Sequence, residues 1–223
     1  MVDMNKLLGS FLSSAAASGF AGGLAGGLAS NMISGKSVKK LGSSALKLGG
    51  IAAVGALAYT AYQRYSNHQG TAAAEAQTVN PAELSAPPSG SAFMPDTADQ
   101  AANDELGLIL VRAMIAAARA DGRLDAQESQ AIFQKIESLG LDSASQNLLV
   151  HEMGHPVDVD ALVSSASSPE VAAEIYIASL LAVDVDTAAE RSYLAMLAAR
   201  LQLPSQLVVE LENQVNAQKA FAQ

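Results

Sequence analysis

The sequence of 223 residues lacks cysteine and tryptophan entirely, and only 4% of its residues are aromatic. Without cysteine there is no disulfide framework and no thiol chemistry. Much of the 50% hydrophobic content is alanine, which favours thin helix packing over a large core. The sequence also has no strand-like alternation, phosphate-binding loop, dinucleotide fingerprint or nucleophile elbow. These absences exclude several enzyme classes and favour an all-helical protein.

Charge is distributed unevenly along the chain. Residues 1–65 carry a formal charge of +5 and residues 66–223 carry −14, which together give the net charge of −9. An acidic domain repels phosphate backbones, so we predict that the protein does not bind nucleic acid. The basic N-terminal part instead favours an anionic membrane surface.

Two uncharged runs dominate the N-terminal part of the sequence. The first covers residues 9–34, and the second covers residues 48–63 between Lys47 and Arg64. Crossing a bilayer takes about 20 mostly apolar residues, so the second run spans only if its flanking charges reach outward to the headgroups. We predict that residues 1–65 form a membrane-associated segment, with one span as the simplest arrangement.

Glycine and serine recur at a spacing of four within the first run. Small residues at this spacing let two helices approach closely in lipid, so we predict self-association through these faces. The alternative to helix packing in lipid is a flexible, low-complexity stretch, because glycine weakens helices in water. Lysines precede the second run, which predicts a cytoplasmic N-terminus and a periplasmic C-terminal domain. The small residues are Ser18, Gly22, Gly26 and Ser30, with Gly19, Gly23 and Gly27 in parallel.

The sequence then divides into a linker and a helical domain. Residues 66–103 hold four of the seven prolines and little apolar periodicity, which predicts a flexible linker. Residues 104–223 show helical periodicity throughout. Ser168 followed by Pro169 predicts a helix start, and Thr187 with Glu190 predicts a capping box.

Two helix–acidic turn–helix stretches in this domain resemble each other, around residues 115–141 and 177–203. Two of their acids stand at predicted helix C-termini, where the helix dipole disfavours negative charge. A divalent cation held by several carboxylates would offset that cost, although helix capping explains several of the same acids without a metal. The candidate cation ligands are Asp121, Asp125, Glu128, Asp184, Asp186 and Glu190.

The sequence His151-Glu152-Met153-Gly154-His155 fits the zinc-hydrolase pattern H-E-x-x-H. On a helix the two histidines would share a zinc ion while Glu152 polarises its water. Eighteen residues separate His155 from Glu174, a spacing that resembles that of some zinc aminopeptidases and makes Glu174 a candidate third ligand. Gly154 and Pro156, however, predict that the helix ends inside the motif. Zinc hydrolysis is therefore the alternative interpretation.

The C-terminal region resembles the TerB-like superfamily of tellurite-resistance domains, and more closely the YebE-type bacterial inner-membrane proteins of unknown function. The resemblance covers residues 104–220 and is carried by LGLILVRAMIAAARADGRLDAQE, HPVDVDALV and IASLLAVDVDTAAERSYLAMLAARLQL. It implies a compact all-α fold of about seven helices and a membrane-linked role in stress or the envelope. It also implies metal ligands at Asp121 and Asp184 first, then at Glu128 and Glu190.

The sequence as a whole predicts a membrane-anchored, non-enzymatic helical domain. Its expected partners are membrane lipid through residues 1–65, an unidentified protein and a divalent cation. Its expected location is the bacterial inner membrane.

Overall fold

The computed structural model describes most of the chain as a set of helices. The described residues are 4–10, 50–70, 87–120, 143–155, 158–183, 185 and 187–222. Within these ranges there are eight helices and no strand, which confirms the all-α prediction. The helices are α1 (residues 4–10), α2 (Gly50–Gly70), α3 (Gln100–Ala118), α4 (Ser143–Gly154), α5 (Val159–Ser164), α6 (Pro169–Ala182), α7 (Ala188–Arg200) and α8 (Ser205–Ala222).

Side-chain caps fix the starts of several helices. The Oδ1 atom of Asp99 accepts from the backbone N–H of Ala102 at the start of α3, over 3.0 Å. Ser168 caps α6 with proline at the first helical position, and Thr187 opens α7 as the first half of a capping box. Both start signals were visible in the sequence and are confirmed. Each cap satisfies a backbone donor that a helix N-terminus would otherwise leave without a partner.

Helix α6 lies at the centre of the bundle. It contacts α2, α3, α7 and α8, and consecutive side chains such as Ile175, Tyr176 and Ile177 are all buried. A helix that is apolar on every side is stable only when other elements cover it on every side. The Oη–H of Tyr176 also donates to Glu212 on α8 over 2.9 Å, so a hydrogen bond joins α6 to α8 in addition to the apolar packing.

Helix α2 is part of this bundle, which differs from its predicted role as a membrane span. Several of its apolar side chains, including Val54, Ala58 and Ala61, are fully buried, and the helix packs against α6 and α8. In the described ranges, no helix combines the length and the apolarity that crossing a bilayer requires. The apolar run suits a helical core as well as it suits lipid, because both surroundings exclude water. Residues 11–49, which hold most of the glycine-rich run, lie outside the described residues.

The end of the predicted linker is also packed onto the bundle. Helix α2 continues to Gly70, and the turn around Ser91 and Met94 leads into α3. Phe93 is buried with its ring centroid 5.5 Å from the centroids of Tyr59 and Tyr62, in edge-on geometry. Aromatic contacts of this kind stabilise beyond the area they bury, which offsets the entropy lost by residues 87–99.

Candidate functional site

Most of the predicted cation ligands lie outside the described residues, so their arrangement stays a prediction. These residues are Asp121, Asp125, Glu128, Asp184 and Asp186.

Glu190, the sixth predicted ligand, acts as a helix cap. Its Oε2 atom accepts from the backbone N–H of Thr187 over 3.0 Å and from the Thr187 hydroxyl over 2.9 Å. The Thr187 hydroxyl oxygen in turn accepts from the backbone N–H of Glu190. The carboxylate is therefore engaged at the start of α7, where the helix dipole favours negative charge.

The two histidines of the H-E-x-x-H motif stand next to each other at the end of α4. Their ring centroids are 4.2 Å apart, and both side chains are exposed. The Nδ1–H of His155 donates to the carbonyl oxygen of His151 over 2.7 Å, which leaves Nε2 of His155 facing away from that bond. Helix α4 ends at Gly154, as the sequence predicted, so His155 lies just past the last helical residue.

Glu152, between the two histidines, is held by an arginine from α3. Arg112 donates from Nε to Oε2 over 2.8 Å and from Nη2 to Oε1 over 2.9 Å. This paired geometry is the strongest that arginine and a carboxylate form. The hydrogen bond from Arg112 is the main reason that the pKa of Glu152 lies below its usual range. A carboxylate with a lowered pKa is a weaker base.

A second arginine closes the same end of α4. Arg119, the C-cap of α3, donates from Nη1 to the carbonyl oxygens of Met153 and His155 over 3.2 and 2.8 Å. The Met153 carbonyl belongs to the last turn of α4 and the His155 carbonyl lies just past it, and neither has an intrahelical donor. The guanidinium therefore satisfies the helix end and fixes the C-terminal ends of α3 and α4 against each other.

Glu174, the proposed third zinc ligand, lies apart from this exposed histidine pair. It is completely buried in the middle of α6, where its neighbours include α2. Across the part of the chain that the structure describes, no three histidine, aspartate or glutamate side chains gather as a metal site would need. His151, His155 and Glu174 are all within that part, so they are not brought together.

The carboxyl group of Glu174 makes no hydrogen bond to any of the described residues. A Cβ atom placed on Gly55 of α2 would lie 3.0 Å from Oε1 and closer still to the carbonyl oxygen of Phe93. Burial first, and the charge of Glu170 second, raise the pKa of Glu174 well above its usual range. The geometry therefore favours the protonated carboxylic acid.

The sequence contains one sign that Glu174 is buried, which its spacing from the histidines does not reveal. Glu174 interrupts the stretch VAAEIYIASLLA, which is otherwise almost free of polar side chains. An acid within a helix that is apolar on all sides has no solvent-facing side to occupy. That pattern indicates a buried carboxyl group, whereas counting residues from His155 suggested a metal ligand.

Comparison with known proteins gives a family but no activity. The chain is 29% identical over 110 residues to a protein of Yersinia enterocolitica described as "Uncharacterized protein in ampR 5'region", which covers 49% of this chain and 79% of that relative. No solved structure matches the chain. The sequence profile of the family described as "Protein of unknown function (DUF533)" matches residues 18–215. Because this match spans most of the chain, the protein belongs to the DUF533 family.

Proposed function

We propose that the protein is a non-enzymatic helical binding module of the bacterial inner membrane. The ion pair between Arg112 and Glu152 is the observation that carries this proposal. A hydrolase of the H-E-x-x-H type needs this glutamate to face a metal-bound water and accept its proton. Here both carboxylate oxygens accept from Arg112, and the lowered pKa weakens the carboxylate as a base. The motif therefore serves to join α3 to α4.

The chemistry of the partner follows from charge. Residues 66–223 carry a formal charge of −14, and several described acids, such as Glu105 and Asp160, are exposed. A surface of this sign attracts basic protein segments or divalent cations and repels nucleic acid. The resemblance to TerB-like and YebE-type proteins supports a cation-binding role at the acidic turns that begin at Asp121 and Asp184.

The membrane contact of this proposal falls on the N-terminal residues that precede α2. Residues 9–34 are uncharged, and four lysines between residues 36 and 47 follow them. Basic residues beside an apolar run attract anionic lipid headgroups. Membrane fractions from cells that make the full chain should retain it in high salt, whereas a chain starting at residue 48 should be released. Release of both chains would contradict the membrane assignment.

Zinc content tests the non-enzymatic assignment directly. We expect the purified full chain to hold no stoichiometric zinc and to show no peptidase activity. The His151→Ala, His155→Ala double variant should match it in both measurements. Zinc that copurifies in equal amount with the protein and is lost in the double variant would contradict the proposal. Glu152→Gln serves as the control, because a hydrolase would keep its metal and lose only turnover.

A further inference from the structure

Glu174 combines complete burial with a carboxyl group that makes no hydrogen bond to the described part of the chain. Its side chain is 0% exposed, and neither carboxyl oxygen has a partner among the described residues. Across the interface, a Cβ atom built on Gly55 would lie 3.0 Å from Glu174 Oε1 and 2.4 Å from the carbonyl oxygen of Phe93, so both groups border the space beside Gly55. A carbonyl oxygen accepts hydrogen bonds only, so it suits a carboxylic acid and repels a carboxylate.

The charged and titratable groups on the surrounding helices do not neutralise Glu174. Glu170, one turn earlier on α6, is the acid whose field acts on it. Three charged side chains on the other helices that pack against α6 are engaged elsewhere. Glu212 on α8 accepts from Tyr176, Arg112 on α3 binds Glu152, and Glu190 on α7 forms the capping box. On α2, the charge of Glu170 acts on Tyr62. Arg64, whose buried Nη2 atom has no hydrogen-bond partner among the described residues, lies nine residues beyond Gly55, about 13 Å along the helix axis.

We propose that Glu174 is a proton-dependent latch. It holds α2 and the turn at residues 91–94, which contains Phe93, against α6 only while its carboxyl group is protonated. In the closed state the acid O–H points toward the Phe93 carbonyl oxygen and Gly55 allows the backbone to approach. When the proton leaves to solvent, the carboxylate can be hydrated only if α2 and residues 87–99 move away from α6. The rest of the bundle, where α3 packs against α6, stays folded. This inference is independent of the proposed binding function.

The direction of the pH dependence follows from linkage. Burial raises the pKa of Glu174 in the closed state, whereas a hydrated glutamate has an ordinary pKa of about 4.3. The closed state thus binds more protons than the open state between these two values. Its stability relative to the open state is complete below about pH 4 and falls as the pH rises. Within that window the opening equilibrium constant should increase about tenfold per pH unit.

The lack of cysteine in the natural chain provides a clean probe of this opening. Ala58→Cys places a single thiol on the buried face of α2, and Ala117→Cys places a matched thiol on α3. The rate of thiol alkylation would be measured in the full chain from pH 5 to 9. Each rate is divided by that of the same cysteine in urea-unfolded protein, because the thiolate fraction itself changes with pH.

We expect the normalised rate at Ala58→Cys to rise with pH by up to about tenfold per unit, while the rate at Ala117→Cys stays flat. Adding Glu174→Gln should remove the rise, because the amide keeps the shape and the donor of the protonated acid without its titration. An equal rise at both cysteines would mean global unfolding and would overturn the latch. An unchanged rise in the presence of Glu174→Gln would overturn it as well.

Infrared spectroscopy tests the protonation state without any cysteine substitution. The natural chain should show the C=O stretch of a protonated carboxylic acid at neutral pH, where solvated acids are ionised. The same band should be missing after Glu174→Gln. If Glu174→Gln fails to fold, the titration of this band in the natural chain still decides the matter. A natural chain without the band at pH 7 would contradict the proposal.

Discussion

Arg112 and Glu152 form an ion pair between α3 and α4, and its contribution to stability depends on pH. The Arg112 side chain is 51% exposed and that of Glu152 is 14% exposed, so solvent screens much of their attraction. A double-mutant cycle of Arg112→Ala and Glu152→Gln should give a coupling of about 0.5–1 kcal/mol near pH 7. Urea unfolding of the four proteins provides the measurement.

The same cycle should lose its coupling in acid. The pKa of Glu152 is lowered in the folded state, chiefly by the hydrogen bond from Arg112. The stabilisation is therefore fully present above the ordinary pKa of about 4.3 and disappears as the pH falls through the lowered value. A coupling that is the same near pH 2 as near pH 7 would show that packing, rather than charge, joins the two residues.

Single residues differ in how far their roles can be predicted from sequence. The caps at Ser168 and Thr187 were predictable because capping depends on neighbours within three or four positions of the chain. The role of Glu152 was not, since its partner Arg112 is 40 residues away in sequence. Spacing alone placed Glu174 in a metal site, whereas packing by α2 determines its surroundings.

The start of α7 provides a prediction for a whole element. Thr187→Ala removes the hydroxyl that accepts from the backbone N–H of Glu190 over 3.1 Å, and it also removes one donor to the Glu190 carboxylate. The free energy of unfolding should fall by about 1 kcal/mol, within the usual range of roughly 0.5–2 for such caps. Thr187→Ser keeps the hydroxyl and should lose far less. Equal losses in the two variants would assign the effect to the methyl group instead.

The contact between α2 and α6 depends on the missing side chain of Gly55. Gly55→Ala would bring a Cβ atom against the backbone carbonyl of Phe93 and within 3.0 Å of Glu174 Oε1. Crowding of this kind costs about 1–3 kcal/mol, offset in part by a gain in helix propensity of up to about 1 kcal/mol. We expect net destabilisation of about 1–2 kcal/mol by urea unfolding.

Gly154 supplies the matched control for this substitution. It ends α4, and a Cβ atom there would meet no atom of the described residues within 4 Å. Gly154→Ala should therefore change the free energy of unfolding by no more than about 0.5 kcal/mol. A loss as large as that of Gly55→Ala would mean that both glycines act through backbone conformation rather than through close approach.

Helix α2 shows why the location of an element is harder to predict than its type. The run LGGIAAVGALAYTAYQ predicts an apolar helix, and the structure contains one over most of it, but a lipid bilayer and a helical bundle select the same composition. What distinguishes them is a complementary apolar surface elsewhere in the chain. That surface lies on α6 and α8, more than 100 residues later, and only the folded arrangement brings it into register with α2.

The whole molecule should depend on α2 for its stability. A fragment of residues 100–223 exposes the faces of α6 and α8 that α2 covers in the full chain. We expect this fragment to melt well below the full chain in circular dichroism, or to aggregate, because exposed apolar faces cost about 25 cal/mol per Å². A fragment of residues 48–223 keeps α2 and should recover most of the difference. A fragment 100–223 that melts with the full chain would show that α2 contributes little.

The aromatic cluster on α2 has a consequence for spectroscopy. The protein has no tryptophan, and three of its five tyrosines, Tyr59, Tyr62 and Tyr65, lie on this helix. Tyr59 and Tyr62 meet the Phe93 ring edge-on, so their chromophores stand in a fixed, asymmetric environment. Near-ultraviolet circular dichroism and tyrosine emission of the unlabelled protein should therefore change when this helix leaves the bundle, so each preparation can be checked optically without a label.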